Sequence, residues 1–365
     1  MIARPSKRQS RSVLIWGFVF LAMFAAIGEL CLPTWLGAQR DPRYSIRRDR
    51  LQQRLARFRV EHPGKQPRLV VVLGSSRMFN GIDGEAMERE LRAKLGDDIC
   101  LANFATPGAG PFLNFALLGR LLREDVKPDL VIVEALPKFF DITQPNAEAF
   151  LPGYVTMCPG DEAWMKQHNI PIDLSKEDPN GWAIFTYRNE VLRNIAPQLL
   201  PRAEQTQPHQ LEHSMDAWGS GLVQGHFDAD RRSAGLQQAR KEYLSAYQHA
   251  QWGGAGEKVL RCLLTECRQR QIATMVVLPP EGSTMRSWYR PGAIPELEAH
   301  LNQVVTDCDS TLVVASEWME EADFIDSHHL LGASAQKFSA RLGRDAVGPW
   351  LEQRVATNGK SPTRR

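Results

Sequence analysis

Apolar and polar positions alternate along most of the chain in two patterns. Short unbroken apolar runs, such as residues 70–73, predict strands that are buried on both faces. Segments with apolar residues at helical spacing lie between these runs and predict amphipathic helices. Strands that alternate with such helices favour an α/β fold, with a parallel sheet covered on both faces. The predicted strands cover residues 70–73, 99–104, 129–134, 273–278 and 311–315, and the predicted helices cover 84–95, 112–122, 236–248, 257–270, 294–307 and the region 332–355.

An apolar run at residues 13–36, interrupted by Glu29, precedes this pattern. Roughly 20 apolar residues suffice to cross a bilayer, so the run predicts a transmembrane helix. Trp16 and Trp35 lie near its two ends, where tryptophan favours the membrane interface. Basic residues before the run predict a cytoplasmic N-terminus and an extracytoplasmic main domain, in the periplasm or at the cell surface. These basic residues are Arg4, Lys7, Arg8 and Arg11.

Two alternatives for the apolar run stay open. A cleaved signal peptide needs a small-residue site, for which Gly37 and Ala38 are a weak match. A buried helix of a soluble domain is the other alternative. The length of the run favours an uncleaved anchor, in which Glu29 extends its carboxylate toward the outer interface.

Polar stretches divide the rest of the chain into regions. A proline-rich insertion interrupts the main domain, with one helix predicted at residues 182–195, and an irregular segment of this length is typical of a functional lid. The polar C-terminal end is predicted to be disordered. The regions are a basic tail at 1–12, the membrane helix at 13–36, an amphipathic helix and linker at 37–67, the main domain at 68–355 with its insertion at 136–235, and the tail at 356–365.

Composition narrows the class of protein. The chain of 365 residues is 43% hydrophobic and 24% charged, as globular proteins are, and its net charge is only +2,. This charge gives no indication of a nucleic-acid-binding protein, and none is predicted as a partner. Six cysteines lack the spacing of metal sites, and they leave the compartment and a disulfide involving Cys158 open. His226, Asp228 and Asp230 have oxygen-rich spacing that is common in polar loops, so no metal is predicted.

Two short stretches at opposite ends of the main domain carry the residue types of nucleophilic catalysis. Ser75 and Ser76 follow the first predicted strand, at the edge where open α/β sheets bind their ligands. Asp326 and His329 have a spacing that lets a carboxylate hold an imidazole in one tautomer while its other nitrogen faces a serine. Taken separately, the serines could cap a turn and Asp326 a helix. Together they predict a Ser-His-Asp site, with His328 as a solvated neighbour.

In these motifs the chain resembles the SGNH (GDSL-type) hydrolase superfamily. That family places a serine after the first strand, a glycine after the second, and Asp-x-x-His near the C-terminus. The resemblance covers residues 68–135 and 257–345 and implies a flavodoxin-like three-layer sandwich with about five parallel strands. The anchor and the Gly-Ser-Ser-Arg form are similar to membrane-anchored members linked to cell-surface O-acylation, of the teichoic-acid D-alanyl transfer and alginate acetylation type. The matching stretches are Gly74-Ser75-Ser76, Asn103 to Gly108, and Asp326-Ser327-His328-His329.

The resemblance implies a role for each matching residue. Ser76 would be the nucleophile, His329 the base that takes its proton, and Asp326 the acid that orients His329. The backbone N–H groups of Ser76 and Gly108 would stabilise the oxyanion. Ester chemistry on serine needs no cofactor.

Two positions depart from the family pattern. Ser75 replaces the aspartate of the first motif and stays a rival nucleophile. The third block of the family supplies an asparagine after the third strand, where this chain has Glu134-Ala135-Leu136-Pro137-Lys138. An oxyanion donor from the insertion, or none, would take its place.

Side chains near the motifs are candidates for binding the substrate. Arg77 follows the nucleophile and suits an anionic group, and Asn103 ends the second strand. Arg286 and Tyr289 follow the fourth strand, where they would form one wall of the cleft. The tryptophans that could stack on sugar rings are Trp182, Trp218 and Trp252,.

We therefore expect an extracytoplasmic serine esterase or O-acyltransferase that acts on an acylated cell-surface glycan without a metal or cofactor. Its expected partners are the membrane, through residues 13–36, a cell-surface polysaccharide, and a membrane-bound O-acyltransferase. The alternative is a non-catalytic binding or scaffold subunit of such a complex, which the missing asparagine favours. A large separation of Ser76 Oγ from the His329 ring would favour that alternative.

Overall fold

The alternating strands and helices form a five-stranded parallel sheet in a computed structural model of the chain. The structure describes residues 7–96, 98–142, 157–171, 183–223 and 228–358. The predictions made for Trp182, His226 and residues 359–365 lie outside the described residues.

Each predicted strand has a counterpart in the structure. The strands are β1 Arg68–Leu73, β2 Ile99–Asn103, β3 Leu130–Glu134, β4 Ala273–Leu278 and β5 Thr311–Val314. The helices before β3 are α1 Lys7–Leu36, α2 Pro42–Glu61, α3 Ser76–Gly81, α4 Gly84–Leu95 and α5 Pro111–Arg123. Those between β3 and β4 are α6 Asp161–Gln167, α7 Ala183–Thr186, α8 Arg188–Ile195, α9 Arg202–His213, α10 Ala229–Gln248 and α11 Gly254–Gln269. Those after β4 are α12 Ser283–Arg286, α13 Ala293–Asp307, α14 Gly332–Leu342 and α15 Gly348–Asn358.

The strand order of the sheet is β2-β1-β3-β4-β5, and all neighbours are parallel. This is the flavodoxin-like order. Val70 of β1 lies beside Leu101 of β2 on one side and beside Leu130 of β3 on the other. From β1 the chain passes to β2 in one direction along the sheet, and from β3 it passes to β4 in the opposite direction. The connections after β1 and β3 therefore diverge and leave a crevice between the carboxyl ends of these two strands. Ligands of open α/β sheets bind in such a crevice.

Alternate side chains of β1 enter two separate cores. Val71 and Leu73 pack on the side of α5, α11 and α13, whereas Val70 and Val72 pack on the side of α4 and α14. All four side chains are fully buried, and burial of each contributes about 1.5–3 kcal/mol. A strand buried on both faces has no solvent side for polar residues, which explains the unbroken apolar run in the sequence.

Helix α1 extends from this domain as an exposed apolar helix. Its part Arg11–Leu36 is long and apolar enough to cross a membrane, and its most apolar window is not buried against the described residues. Its last turn is different, because Leu36 is fully buried and packs with Tyr187. The next residue, Gly37, approaches Pro159 so closely that an added Cβ atom would lie 2.6 Å from the proline ring. The end of α1 is therefore part of the folded domain.

The insertion contains more helix than its sequence predicts. Helices α6 to α9 fall within it and α10 begins in it, whereas the sequence predicts one helix there, at 182–195. The helix predicted at 236–248 corresponds to the later part of α10. The described part of the helix predicted at 182–195 is divided at Tyr187 into α7 and α8. Helix α7 packs against α1. It is only four residues long, which is too short for the spacing of its apolar residues to indicate this contact,.

Candidate active site

Ser76 begins α3, directly beyond the carboxyl end of β1. The chain turns at Gly74, where an added Cβ atom would lie 2.8 Å from the Glu134 carboxylate. The Ser75 hydroxyl accepts a hydrogen bond from the backbone N–H of Arg77 at 3.2 Å and caps the helix,. Ser75 is thereby engaged in the turn, and the hydroxyl of Ser76 is left for the cleft.

Asp326 and His329 lie in a tight turn before α14. The Oδ1 atom of Asp326 accepts hydrogen bonds from the backbone N–H groups of His328 at 3.2 Å and His329 at 2.8 Å. Ser327 has a left-handed backbone with φ of 68°, which costs an L-residue roughly 1–2 kcal/mol. The aspartate offsets this cost because its carboxylate satisfies N–H groups that the turn leaves unpaired. The local geometry thus holds the acid beside the imidazole.

The structure brings Ser76, His329 and Asp326 into one hydrogen-bonded chain. His329 Nδ1 lies 2.7 Å from Asp326 Oδ2, and His329 Nε2 lies 2.7 Å from Ser76 Oγ. An ionised carboxylate can only accept hydrogen bonds, so Nδ1 carries the ring proton and donates it to Asp326. Nε2 of the neutral ring then accepts the hydrogen bond from the Ser76 hydroxyl. In this arrangement a serine can pass its proton to the histidine as it attacks.

The Asp326 carboxylate is ionised in this turn. Burial by itself would raise its pKa, but the hydrogen bonds from His329 outweigh burial and hold the pKa well below its usual range. Asp326, His328 and His329 also offer donor atoms within 4.8 Å of one another, close enough for a cation. Both ring nitrogens of His329 are already hydrogen-bonded, so the geometry favours proton transfer over metal ligation.

A second loop, residues 104–109, reaches Ser76 from the end of β2. The backbone N–H of Thr106 donates to the Gly74 carbonyl at 2.8 Å and fixes this loop beside the nucleophile turn. Gly108 has φ of 78°, a conformation that favours glycine. The N–H of Ser76 belongs to the first turn of a helix, where no intrahelical acceptor exists. Both residues predicted as oxyanion donors line the cleft that holds the Ser76 hydroxyl.

The cleft around Ser76 has a volume of about 410 Å³, which is in the range of small-molecule sites. One wall comes from the segment after β3 and another from α10. Lys138 of the first wall forms an ion pair with Glu242 of the second, and its Nζ lies 4.8 Å from the centre of the Tyr243 ring. The sequence signals the first wall by its position directly after a strand. It predicts the helix at 236–248 that forms the second wall but not the position of that helix beside the cleft.

Glu134 occupies the position where the family pattern has an asparagine. It ends β3, is buried, and accepts a hydrogen bond from the backbone N–H of Ser75 through Oε2. Burial raises the pKa of Glu134, although the hydrogen bond from Ser75 and the charge of Arg77 oppose this shift. Its Oε1 atom has no hydrogen-bond partner among the described residues. Glu134 therefore acts on the backbone of the nucleophile turn.

We expect Glu134→Ala to destabilise the fold and Glu134→Gln to be nearly neutral. Alanine leaves the buried N–H of Ser75 without an acceptor, which costs about 1–3 kcal/mol. The amide oxygen of glutamine can still accept that hydrogen bond. Urea unfolding of the detergent-solubilised chain measures the difference, and an equal loss in both variants would contradict this role.

His328 is buried, so the prediction of a solvated neighbour is wrong. Its Nδ1 lies 3.1 Å from the Asp326 carbonyl oxygen, and its ring centre lies 5.3 Å from that of Tyr243. Burial lowers the pKa of His328 well below its usual range, and the nearby charge of Arg77 lowers it further. His328 is therefore neutral at neutral pH.

This lowered pKa makes the fold sensitive to mild acid. Below about pH 6.5 an unfolded histidine binds a proton that the folded His328 does not bind. Stability therefore falls as the pH falls, by up to about 1.4 kcal/mol per pH unit, until the pH reaches the folded pKa. We expect His328→Asn to reduce this slope, measured by urea unfolding at a series of pH values. The exposed His249→Asn is the control, and an unchanged slope in the His328 variant would overturn the assignment.

The four side chains predicted to contact the substrate are engaged within the scaffold instead. Arg77 is buried and pairs with Glu281 at 2.6 Å, and the Tyr289 hydroxyl donates to the same carboxylate at 3.2 Å. The Asn103 amide donates to a carbonyl of α3 at 3.1 Å. Arg286 donates to two backbone carbonyls. Among the described residues, none of these four lines the cleft, because their polar groups turn inward and join the loops beneath it.

The tryptophans considered for sugar stacking are also held by the fold. The Trp218 ring lies between Gly84, where an added Cβ atom would meet it at 2.2 Å, and the guanidinium of Arg54 at 5.0 Å. Trp252 is partly buried, and its indole N–H donates to the Ala293 carbonyl at 3.1 Å. These contacts hold both rings in place within the fold.

The chain is similar to one protein family over part of its length and to a solved structure at low identity. The family model DUF1574, described as a protein of unknown function, matches residues 36–154. A crystal structure from Bacteroides fragilis NCTC 9343, described as a candidate acylhydrolase, is 12% identical with a TM-score of 0.33. That match covers 84% of this chain and 96% of the other. No curated protein matches. The family match includes Ser76 and Gly108 and ends before the loop that carries Asp326 and His329.

Proposed function

We propose that the protein is a membrane-anchored serine esterase or O-acyltransferase whose substrate is an acylated cell-surface glycan. The hydrogen-bonded chain of Asp326, His329 and Ser76, with both contacts at 2.7 Å, carries this proposal. The short contact between Ser76 and His329 also favours a catalytic site over a non-catalytic scaffold subunit, in which the two side chains have no reason to meet.

In the first half of the proposed reaction, Ser76 takes the acyl group from the substrate. Its Oγ attacks the ester carbonyl carbon while His329 Nε2 accepts the hydroxyl proton, and the Asp326 carboxylate stabilises the resulting imidazolium. The N–H groups of Ser76 and Gly108 hold the oxyanion. Collapse of the tetrahedral intermediate breaks the bond to the alcohol oxygen, and the imidazolium returns its proton to that leaving group.

In the second half, a new hydroxyl takes the acyl group from Ser76. His329 accepts the proton of water in an esterase, or of a sugar hydroxyl in an O-acyltransferase, and returns a proton to Ser76 Oγ. The walls of the cleft suit both parts of such a substrate. Leu136 and Phe139 offer apolar surface to an acyl chain, and the Lys138–Glu242 pair offers polar partners for sugar hydroxyls.

Helix α1 supports attachment to the membrane as an uncleaved anchor. Cleavage at Gly37-Ala38 would remove Leu36, which is buried against Tyr187 in the folded domain. A signal peptide is normally dispensable to the domain it exports, so this packing favours an uncleaved anchor. The basic residues before the apolar run of α1 favour a cytoplasmic N-terminus and an extracytoplasmic active site. A membrane-bound O-acyltransferase is the proposed partner, since the cleft would be held close to the bilayer.

Labelling with a fluorophosphonate tests the catalytic proposal. These probes react with activated serines, so the full-length protein in detergent should be labelled at Ser76, as mapped by mass spectrometry. It should also hydrolyse p-nitrophenyl acetate, and transfer of acetate to an added polysaccharide would distinguish a transferase from an esterase. A folded protein with neither label nor activity would contradict the proposal and favour the scaffold subunit.

A further inference from the structure

We infer that residues 183–199, which include α7 and α8, form a second membrane contact in the outer interface of the bilayer. The inference rests on the proposed insertion of α1 into that membrane. Its partner is lipid, at the level of the headgroups and the first part of the acyl chains. The contacts of this interfacial segment with α1, its depth and its exposed side chains lead to this inference.

The interfacial segment lies against the last turns of α1. The backbone N–H of Ala183 donates a hydrogen bond to Glu29 Oε1 at 2.5 Å. Leu32 and Leu36 pack in the same apolar cluster as Tyr187. The carboxylate that interrupts the apolar run is thus satisfied by the segment itself, which explains how α1 tolerates a glutamate.

The contact with Glu29 sets the depth of the segment. Glu29 precedes the end of α1 at Leu36 by about two turns, or roughly 10 Å along the helix axis,. About 20 residues cross the hydrocarbon core, so a span that begins at Val13 ends near Leu32. Ala183 therefore lies at the outer boundary of the hydrocarbon core. Side chains of the segment at this level meet lipid wherever protein does not cover them.

The described part of the chain leaves three large apolar side chains of the segment exposed. Phe185, Ile195 and Leu199 are 63%, 71% and 69% exposed. Several exposed apolar side chains on one short segment mark a contact surface. Arg188 and Arg193 lie on the same segment, and a mixture of apolar and basic residues is typical of segments that lie in a membrane interface.

The bilayer is favoured over a protein as the occupant of this surface. The segment packs on α1 through Ala183 and Tyr187, and the proposed insertion of α1 already places lipid around that helix. A hydrogen bond of 2.7 Å from the Asn194 amide to the Gln39 side chain fixes the segment to the turn that follows α1. Two connected contacts with the same bilayer would fix the tilt of the sheet domain, which a single helix cannot do.

Depth-dependent quenching in proteoliposomes of the full-length chain tests the inference. A background with Cys31→Ser and Cys262→Ser removes the two thiols that are not buried. Single cysteines, introduced as Phe185→Cys, Ile195→Cys and Leu199→Cys, then carry an NBD fluorophore. The vesicles contain phosphatidylethanolamine and phosphatidylglycerol, with or without lipids that bear a doxyl quencher, placed near the headgroup for labels on the segment and at mid-chain for a label on α1. We expect the quencher to reduce the emission of all three labels by at least half.

Two control positions separate the outcomes. Phe20→Cys reports whether α1 is in the bilayer, and Val60→Cys reports on an equally exposed apolar position at the far end of α2. Quenching at Phe20 and at the segment, with none at Val60, supports the inference. Quenching at Phe20 alone contradicts the second membrane contact but is consistent with insertion of α1. Quenching at Val60 as strong as that at the segment also contradicts the second contact. No quenching at Phe20 contradicts both the insertion of α1 and the second membrane contact. Fluorophosphonate labelling of the same sample reports separately on the catalytic proposal.

Discussion

Replacement of Ser76 by alanine is expected to lower kcat/KM for a small acetyl ester by about 10⁴-fold or more. Loss of the nucleophile in a serine protease costs on the order of 10⁶ in kcat, and we expect less here because an activated ester needs less assistance. Without Oγ no acyl-enzyme can form, and His329 has no hydroxyl to deprotonate at 2.7 Å. Steady-state kinetics on the purified protein, with unfolding curves to confirm the fold, measure the effect.

Ser75→Ala is the matched control for this variant. Ser75 lies next to Ser76 but uses its hydroxyl to cap α3, so its loss should cost about 1 kcal/mol of stability and leave most of the activity. The reverse pattern, an inactive Ser75 variant and an active Ser76 variant, would make Ser75 the nucleophile. Equal activity in both variants would exclude a serine mechanism at this turn.

Asp326→Asn is expected to lower kcat by about 10⁴-fold, as the corresponding change does in a serine protease. An asparagine amide can donate to His329 Nδ1, which favours the tautomer that carries its proton on Nε2. That tautomer cannot accept the proton of Ser76, although the residues keep their positions. The measurement is kcat for p-nitrophenyl acetate, together with fluorophosphonate labelling, which should slow in parallel.

Asp323→Asn controls for a general effect on this loop. Asp323 accepts hydrogen bonds from the Ser334 hydroxyl at 2.7 Å and from the Glu320 N–H at 3.0 Å. It caps local structure without touching His329, so its variant should keep most of the activity. Full activity of Asp326→Asn, or an equal loss in both variants, would contradict the orienting role of Asp326.

The sequence predicts those parts of the site that depend on backbone position. Ser76 and Gly108 follow strands whose apolar runs are plain, and parallel strands bring their carboxyl ends to one edge of a sheet. Asp326 and His329 share one turn, in which spacing alone nearly determines their contact. Their meeting with Ser76 needs only the correct strand order, which the structure has.

The parts that the sequence does not predict depend on the direction of side chains and on packing between distant segments. Arg77 follows the nucleophile, yet it turns inward to Glu281, a residue 204 positions away. Glu134 breaks the family pattern, and only the fold shows its hydrogen bond to Ser75. Helix α7 packs against α1, and Glu242 of α10 pairs at the cleft with Lys138, 104 positions away. No local window of sequence contains both members of these pairs.

The strand arrangement also determines when the Ser76–His329 contact can form during synthesis of the chain. Ser76 and His329 are 253 positions apart, and β4 and β5 must join the sheet before the last loop can reach β1. If the chain crosses the membrane during synthesis, in the proposed orientation, the serine half of the site is exposed well before the histidine half exists, and folding that waits for such distant contacts is slow. Serine reactivity would therefore appear only at the last step of maturation, and the nascent chain would cross the membrane chemically inert.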